Sequence, residues 1–444
     1  MAVIAIPISL QSMITIGVNM TDTVMVGKLG ETSLSATALA NQFVNIYQIC
    51  CMGIAMGASV LTSRFWGMQD ITSLKKTITL MLRLCIVLAV LFMLPTILIP
   101  QLLMRMYTND SAVIAQGVQY FKWMVYCYFL QGMTMTCTIV LRSVGQVNFP
   151  LFTSIGSFFV NILFNYMFIF GKLGVPKMEV EGAGVGTLIA RVFEFSLICG
   201  YFLFVDRKIG YRLKDLRMKC NSLIKDYVSI SIPVFVSDSL LALGTSAVAM
   251  VMGRVGTGFV SANSITVVTQ QLTTVIIQGI CHASCIMTGH TLGHGEREKA
   301  QQQAWTFLIL GLVVGILGGG LIKVLSRPII GLYNITPETA QIAGELMDAI
   351  AFIVIFQSMN SILTKGVLRG GGDTKFLMVA DIIFLWAASL PLGILAGLVW
   401  HLDAFWIYVF LKIDQICKSI WCVFRLRSGK WIKTFSKEKM NHAK

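Results

Sequence analysis

Charge is scarce in this sequence. Only 13% of its 444 residues are Asp, Glu, Lys or Arg and 56% are hydrophobic, whereas a soluble domain carries about 25% charged residues. A water-soluble globular fold is therefore excluded, and the net charge of +14 reads as membrane topology rather than as a nucleic-acid surface. Ordered metal-binding and redox signatures are missing as well. The eleven cysteines include no CxxC pair, so they are expected to be small buried thiols, neither disulfides nor metal ligands. His290 and His294 stand four apart, but no third ligand lies nearby, and no resident metal or cofactor is expected. No HExxH, GxSxG or nucleotide-binding loop is present, which leaves hydrolysis and ATP-driven pumping without a basis. No basic segment precedes the first apolar run, so no cleavable signal peptide is expected.

What the sequence has instead is long apolar runs. A span needs about 20 mostly apolar residues, and the polar breaks leave twelve: 2–27, 34–63, 77–106, 114–141, 150–170, 183–205, 227–253, 260–290, 302–332, 338–367, 376–399 and 403–424. Arg64, Lys75, Lys76, Arg142, the basic run from Arg207 to Lys225, Arg297, Lys299, Arg369 and Lys375 fall after the even-numbered spans, and seven more basic residues follow the last. The positive-inside rule then places both termini and the 207–225 loop in the cytoplasm of a multi-pass plasma-membrane protein.

The second half repeats the first. A slide of 226 residues aligns Ile6-Pro7 with Ile232-Pro233, Gly30 with Gly256 and Gly53 with Gly279; a slide of 227 aligns LRSVG at Leu141 with LRGGG at Leu368. Six spans per half is an even number, so both copies share one orientation in the membrane, related by an axis along its normal. The expected organisation is an N-lobe over 1–206, a cytoplasmic linker over 207–225, a C-lobe over 226–426 and a basic tail over 427–444. Pro7, Pro233 and Pro391 lie inside predicted spans, where a missing N–H permits a kink.

Buried charge marks the function. An Asp at a helix centre in hydrocarbon costs on the order of 3 kcal/mol, so it ordinarily belongs to an ion or substrate path. Asp22, in GVNMTDTVMVGKLG, is the first such residue, and its repeat partner is Val248, which puts energetic coupling mainly in the first half. Asp238 and Lys365 are a candidate charge pair of the second half, tolerable together where each is costly alone. Arg191 with Glu194, and Lys412 with Asp414, read as structural pairs. Gln42, Tyr47, Gln131, Gln278 and His282 are polar candidates for a substrate cavity, in a chain whose 24 Met and 27 Phe suit promiscuous binding.

Several stretches in order resemble the multidrug and toxin extrusion (MATE) family: MTDTVMVGKLG around Asp22, LRSVGQVNFP from Leu141, EGAGVGT from Glu181, the Ile232-Pro233-Val234 start of span 7, and RGGGDTKF from Arg369. The resemblance runs from Ala2 to Trp431. It implies an all-α fold of two six-helix lobes around a V-shaped cleft, acting as a monomer on small organic, often cationic, compounds exported in exchange for H⁺ or Na⁺. Its N-lobe cation site maps onto Asp22, Asn161, Asn165 and Thr187, with Asn165 in place of a second carboxylate. The C-lobe acid pair of some members is not reproduced: Asp238 falls one turn early, and Gln357 or Ser358 takes the span 10 position. A lipid-linked oligosaccharide flippase of the same superfamily is the alternative, although it calls for a more cationic cleft.

Overall fold

A computed structural model of the chain describes residues 1–172, 174–331 and 335–434. Among these residues the secondary structure is helical, with no strand. The first half comprises α1 (Ala2–Gly27), α2 (Glu31–Gly67), α3 (Ile71–Leu98), the short α4 (Pro100–Arg105), α5 (Ser111–Ser143), α6 (Asn148–Phe170) and α7 (Glu179–Gly200). The second comprises α8 (Asn221–Val255), α9 (Thr257–Gly293), α10 (Arg297–Ile330), α11 (Pro337–Ser361), α12 (Thr374–Asp381), α13 (Leu390–Ile394), α14 (Ala404–Leu411) and α15 (Ile413–Arg427). Eleven helices among the described residues are long and apolar enough to cross a membrane. The twelfth expected span is the α14–α15 pair, interrupted at Lys412, whose φ of −121° leaves the helical region.

Local sequence explains the helix boundaries. Asp70 caps α3 by accepting from the Ser73 N–H at 3.0 Å, and Asp110 caps α5 through Ala112 at 2.9 Å. Gly171, at φ +65°, ends α6 in the left-handed conformation that glycine adopts without cost. Pro7 and Pro233 lie inside continuous helices, while Pro391 opens α13 directly after a wide π segment, Ile382–Ser389. A second π segment, Ile362–Leu368, extends α11 to the RGGG turn.

Contacts divide the chain into two compact units, Leu10–Ser231 and Met1–Ser9 with Ile232–Lys444. The division thus falls inside α1 and α8, and the 207–225 segment folds onto the first unit. There Lys75 on α3 pairs with Asp215 at 2.9 Å and donates to the Gly210 carbonyl, and Arg83 donates to the Leu216 carbonyl at 2.6 Å. Burial works against charge on Asp215, yet the Lys75 ammonium and the Arg212 N–H hold its carboxyl below the ordinary aspartate range. The expected tail beyond residue 434 lies outside the described residues.

Each unit has its own apolar core. In the first, α2, α3 and α5 pack around Phe43, Tyr47, Phe92 and Tyr128, whose rings meet edge-on or tilted at centroid distances of 5.0–6.4 Å. In the second, α9, α10 and α11 bury Ala262, Ile322, Leu346 and Ile350. All eleven cysteines are free thiols, nine of them buried.

Candidate functional site

The first unit holds a cavity of about 340 Å³ between α1, α2, α5, α6 and α7. Two helical stripes give it polar walls. Thr15, Asn19 and Asp22 recur along α1 at spacings of four and three, and Asn41, Asn45 and Gln48 do so along α2. Tyr120 on α5 donates to Asn41 Oδ1 at 3.2 Å and fixes one wall.

Asp22 is held from α6. Asn165 Nδ2 donates to Asp22 Oδ1 at 2.6 Å and lies 3.3 Å from Asn161 Oδ1. Both amides are nearly inaccessible, Asn161 at 2% and Asn165 at 1% exposure, so their geometry is set by packing rather than by solvent. EGAGVGT supplies that packing. A Cβ on Gly182 would come within 2.6 Å of the Phe168 carbonyl carbon, and one on Gly186 within 2.9 Å of the Asn165 nitrogen. The glycines therefore let α7 lie directly against α6 and bring Thr187 to the same cavity. All four sequence-predicted residues converge here: Asp22, Asn161 and Thr187 line the cavity, and Asn165 ties Asp22 from behind. Asp22, Asn161 and Thr187 offer the cavity oxygen donors suited to a hard monovalent cation, and Asn165 Oδ1, beside Gly186, is buried with no hydrogen-bond partner among the described residues.

The remaining cavity candidates divide. Gln131 on α5 lines the cavity. Gln42 is exposed and outside it, one position off the stripe formed by Asn41, Asn45 and Gln48. Tyr47 is fully buried in the aromatic core, its hydroxyl donating to the Tyr128 carbonyl. Gln278 and His282 belong to α9 of the other unit. Arg191 and Glu194 pair at 2.8 Å as their i, i+3 spacing suggests, yet both also line the cavity, placing a dipolar pair on the wall near Asp22.

In the second unit two sequence pairings are corrected. The direct ion-pair partner of Asp238 is Arg369, at 3.0 Å, while Lys365, exposed on the π segment, acts on Asp238 as a nearby charge without an ion-pair contact. Asp414 pairs with Lys418 at 3.1 Å and not with Lys412, because i, i+4 positions share a helix face and i, i+2 positions do not. Lys418 also reaches Asp381 at 3.0 Å, forming a buried triad that linear spacing did not reveal. RGGGDTKF works structurally beside it: Asp373 accepts from Arg425 at 2.7 Å, and a Cβ on Gly371 would meet the Trp431 carbonyl at 2.8 Å.

Multiple membrane-spanning helices, an internal duplication and a polar cavity holding a carboxylate define a multi-pass membrane transporter of small compounds. The MatE family profile matches residues 7–167 and 233–416, and the chain belongs to that family of multidrug and toxin extrusion transporters. It is 24% identical over 419 residues to an uncharacterized transporter, YisQ, of Bacillus subtilis, covering 93% of this chain and 90% of that protein. The probable multidrug resistance protein NorM of Thermotoga maritima is 24% identical over 436 residues, covering 97% and 92%. Among solved structures, a point variant of the Vibrio cholerae MATE transporter VcmN superposes with a TM-score of 0.87 at 16% identity, covering 96% of this chain and 95% of that one. A MOP superfamily transporter from Pyrococcus furiosus superposes with a TM-score of 0.84 at 19% identity, covering 98% and 96%. At these identities the superpositions speak for the fold alone.

Proposed function

We propose that the protein is a plasma-membrane antiporter that exports organic, chiefly cationic, compounds in exchange for H⁺ or Na⁺, acting as a monomer with both termini in the cytoplasm. The observation that carries this reading is Asp22, bonded to Asn165 at 2.6 Å on the wall of a 340 Å³ polar cavity. A carboxylate there attracts an organic cation, and the same carboxylate binds the coupling ion. Coupling follows because the two compete: a ligand shifts a conformational equilibrium only by its differential affinity for the two states. Proton or Na⁺ entry neutralises Asp22 and releases the substrate, and loss of the ion restores the charge that recruits the next one. Asn165 leaves a single formal charge at the site, which favours a proton over a metal ion that seeks several anionic oxygens.

The test is efflux of a fluorescent cationic dye in inverted vesicles, with the Na⁺ and pH gradients imposed separately. Dye accumulation driven by one gradient supports antiport. Dye movement that ignores both gradients overturns it and favours the flippase reading.

A further inference from the structure

We propose that the connection between α7 and α8, residues 206–220, is a binding surface for the headgroups of anionic phospholipids. The membrane-spanning segments Glu179–Val205 and Asn221–Val255 flank it, so it begins and ends at one membrane face. Between them it lies along α3 rather than out in solvent. Lys75 Nζ donates to the Gly210 carbonyl, and the Thr79 hydroxyl meets the Tyr211 hydroxyl at 2.9 Å and the Asp215 carbonyl at 3.0 Å. Arg83 Nη2 donates to the Leu216 and Met218 carbonyls at 2.6 and 3.1 Å. Beyond Arg83, the run from Leu84 to Met104 carries no charge and, at about 1.5 Å per residue, covers a hydrocarbon core of about 30 Å. The contacts from Lys75 to Arg83 therefore hold the connection at headgroup depth, where lipid phosphates are the abundant anions.

The charges of this connection are sorted by direction. Asp206, 1% exposed, accepts from the Ile209 N–H at 3.0 Å, the Lys208 N–H at 3.3 Å and Gln146 Nε2 at 2.8 Å. Asp215 accepts from the Arg212 N–H at 3.0 Å and pairs with Lys75. Arg212 is itself bonded to the Leu203 carbonyl at 2.7 Å. Both acids of the connection thus serve the fold. Arg207, Lys208, Lys214, Arg217 and Lys219 are exposed, and none of their side chains makes an ion pair among the described residues. Positive-inside topology needs only the number of basic residues and does not require their release from the acids beside them.

An apolar group stands among these cations. Leu213, 60% exposed, opens the short 3₁₀ turn Leu213–Arg217 that also carries Lys214 and Arg217. An exposed leucine beside basic side chains suits a bilayer interface, where the apolar group enters the acyl boundary and the cations meet phosphate. A soluble phosphate compound would use the cations but not the leucine. Cations spread from Arg207 to Lys219 offer separate points of attachment, which fits several headgroups lying in a plane. Each basic residue close to an anionic bilayer surface strengthens association about fivefold, an effect that weakens as salt rises.

The proposal is independent of the exported compound and of the coupling ion, and so is its test. The full chain is placed in nanodiscs of phosphatidylcholine, alone or mixed with phosphatidylglycerol. Spin-labelled forms of the two lipids measure relative association, and amide hydrogen exchange of residues 206–220 locates it. At low salt, wild type should prefer the phosphatidylglycerol label severalfold, and phosphatidylglycerol should slow exchange of 206–220 severalfold. Both effects should fall roughly threefold or more in the double variant Arg217→Gln with Lys219→Gln. Its thermal unfolding in phosphatidylcholine should match wild type, because neither side chain has a bonding partner among the described residues. A control double variant, Arg427→Gln with Lys430→Gln, removes the same charge from exposed positions of the other unit and should behave as wild type. Phosphatidylglycerol leaving exchange of 206–220 unchanged overturns the proposal, as does full retention of both effects in Arg217→Gln with Lys219→Gln. Equal loss in the control variant also overturns it, since net charge alone then explains the preference. So does equal slowing of exchange by inorganic phosphate in phosphatidylcholine discs, which would assign the surface to free phosphate.

Discussion

At the scale of single residues, the site depends on the difference between an amide and a carboxylate. Asn165 donates to Asp22, so it stabilises the ionised acid without adding charge. Asp22→Asn should abolish gradient-driven dye efflux while the protein remains folded and membrane-inserted. Efflux at the wild-type rate in inverted vesicles would remove Asp22 from the coupling step. Asn165→Asp makes the opposite change, supplying a second carboxylate for a hard cation. Na⁺ stimulation of efflux by that variant should rise several-fold over wild type, and an unchanged Na⁺ response would mean that the amide does not set ion choice. Asp22, Asn161, Asn165 and Thr187 were legible in the sequence because a buried acid and a motif of known type stand out in apolar helices. The triad was not, because Asp381 and Lys418 are 37 residues apart and lie on different helices. No periodicity within one helix pairs them.

At the scale of elements, close packing of α6 and α7 positions the site. Gly186→Val places a side chain against Asn165 and should cost about 1–3 kcal/mol by overpacking. Thermal unfolding in detergent measures this, and a variant as stable as wild type would show that the two helices have room to separate. The 207–225 segment is a second case. Because the folded Asp215 carboxyl lies below its unfolded value, its stabilisation is complete above the ordinary aspartate value and is lost as pH falls through the lower folded value. Amide exchange of residues 207–225, corrected for intrinsic rates, should accelerate on acidification below about pH 4 and stay flat between about pH 6 and pH 8. Acceleration already near neutrality would contradict the Lys75–Asp215 anchor. Helix existence was readable from long apolar runs, but helix face was not. Asn41, Asn45 and Gln48 form the cavity stripe of α2, whereas Gln42, one residue away, turns outward. A rotation of about 100° per residue separates them, and only the angular position of the neighbouring helices decides which side chain enters. The break at Lys412 was hidden for a related reason: composition counts apolar length and cannot register one residue leaving helical φ.

At the scale of the whole molecule, the duplication was legible from glycine, proline and arginine positions that kept register over most of each half. Its limits became visible only in space. The contact boundary lies within α1 and α8, so the first nine residues belong with the second unit and the 207–225 segment with the first. Charge use also diverged between the copies. Arg142 and Arg369, which correspond in the repeat, take different partners: Arg142 donates to Gln11, whereas Arg369 forms an ion pair with Asp238. The second unit pairs Asp238 and Asp381 directly with Arg369 and Lys418, while the first exposes Asp22 to a cavity.

The central claim, that one carboxylate serves both the exported cation and the coupling ion, is tested most directly by fluorescence titration of a cationic dye onto purified protein. The titrations are made over a range of pH and, separately, of Na⁺ at constant ionic strength. The account predicts that apparent affinity for wild type falls roughly tenfold as one of these ions saturates the site, and that Asp22→Asn binds the dye more weakly with no dependence on either ion. Asp22→Asn retaining the full wild-type ion dependence would contradict it.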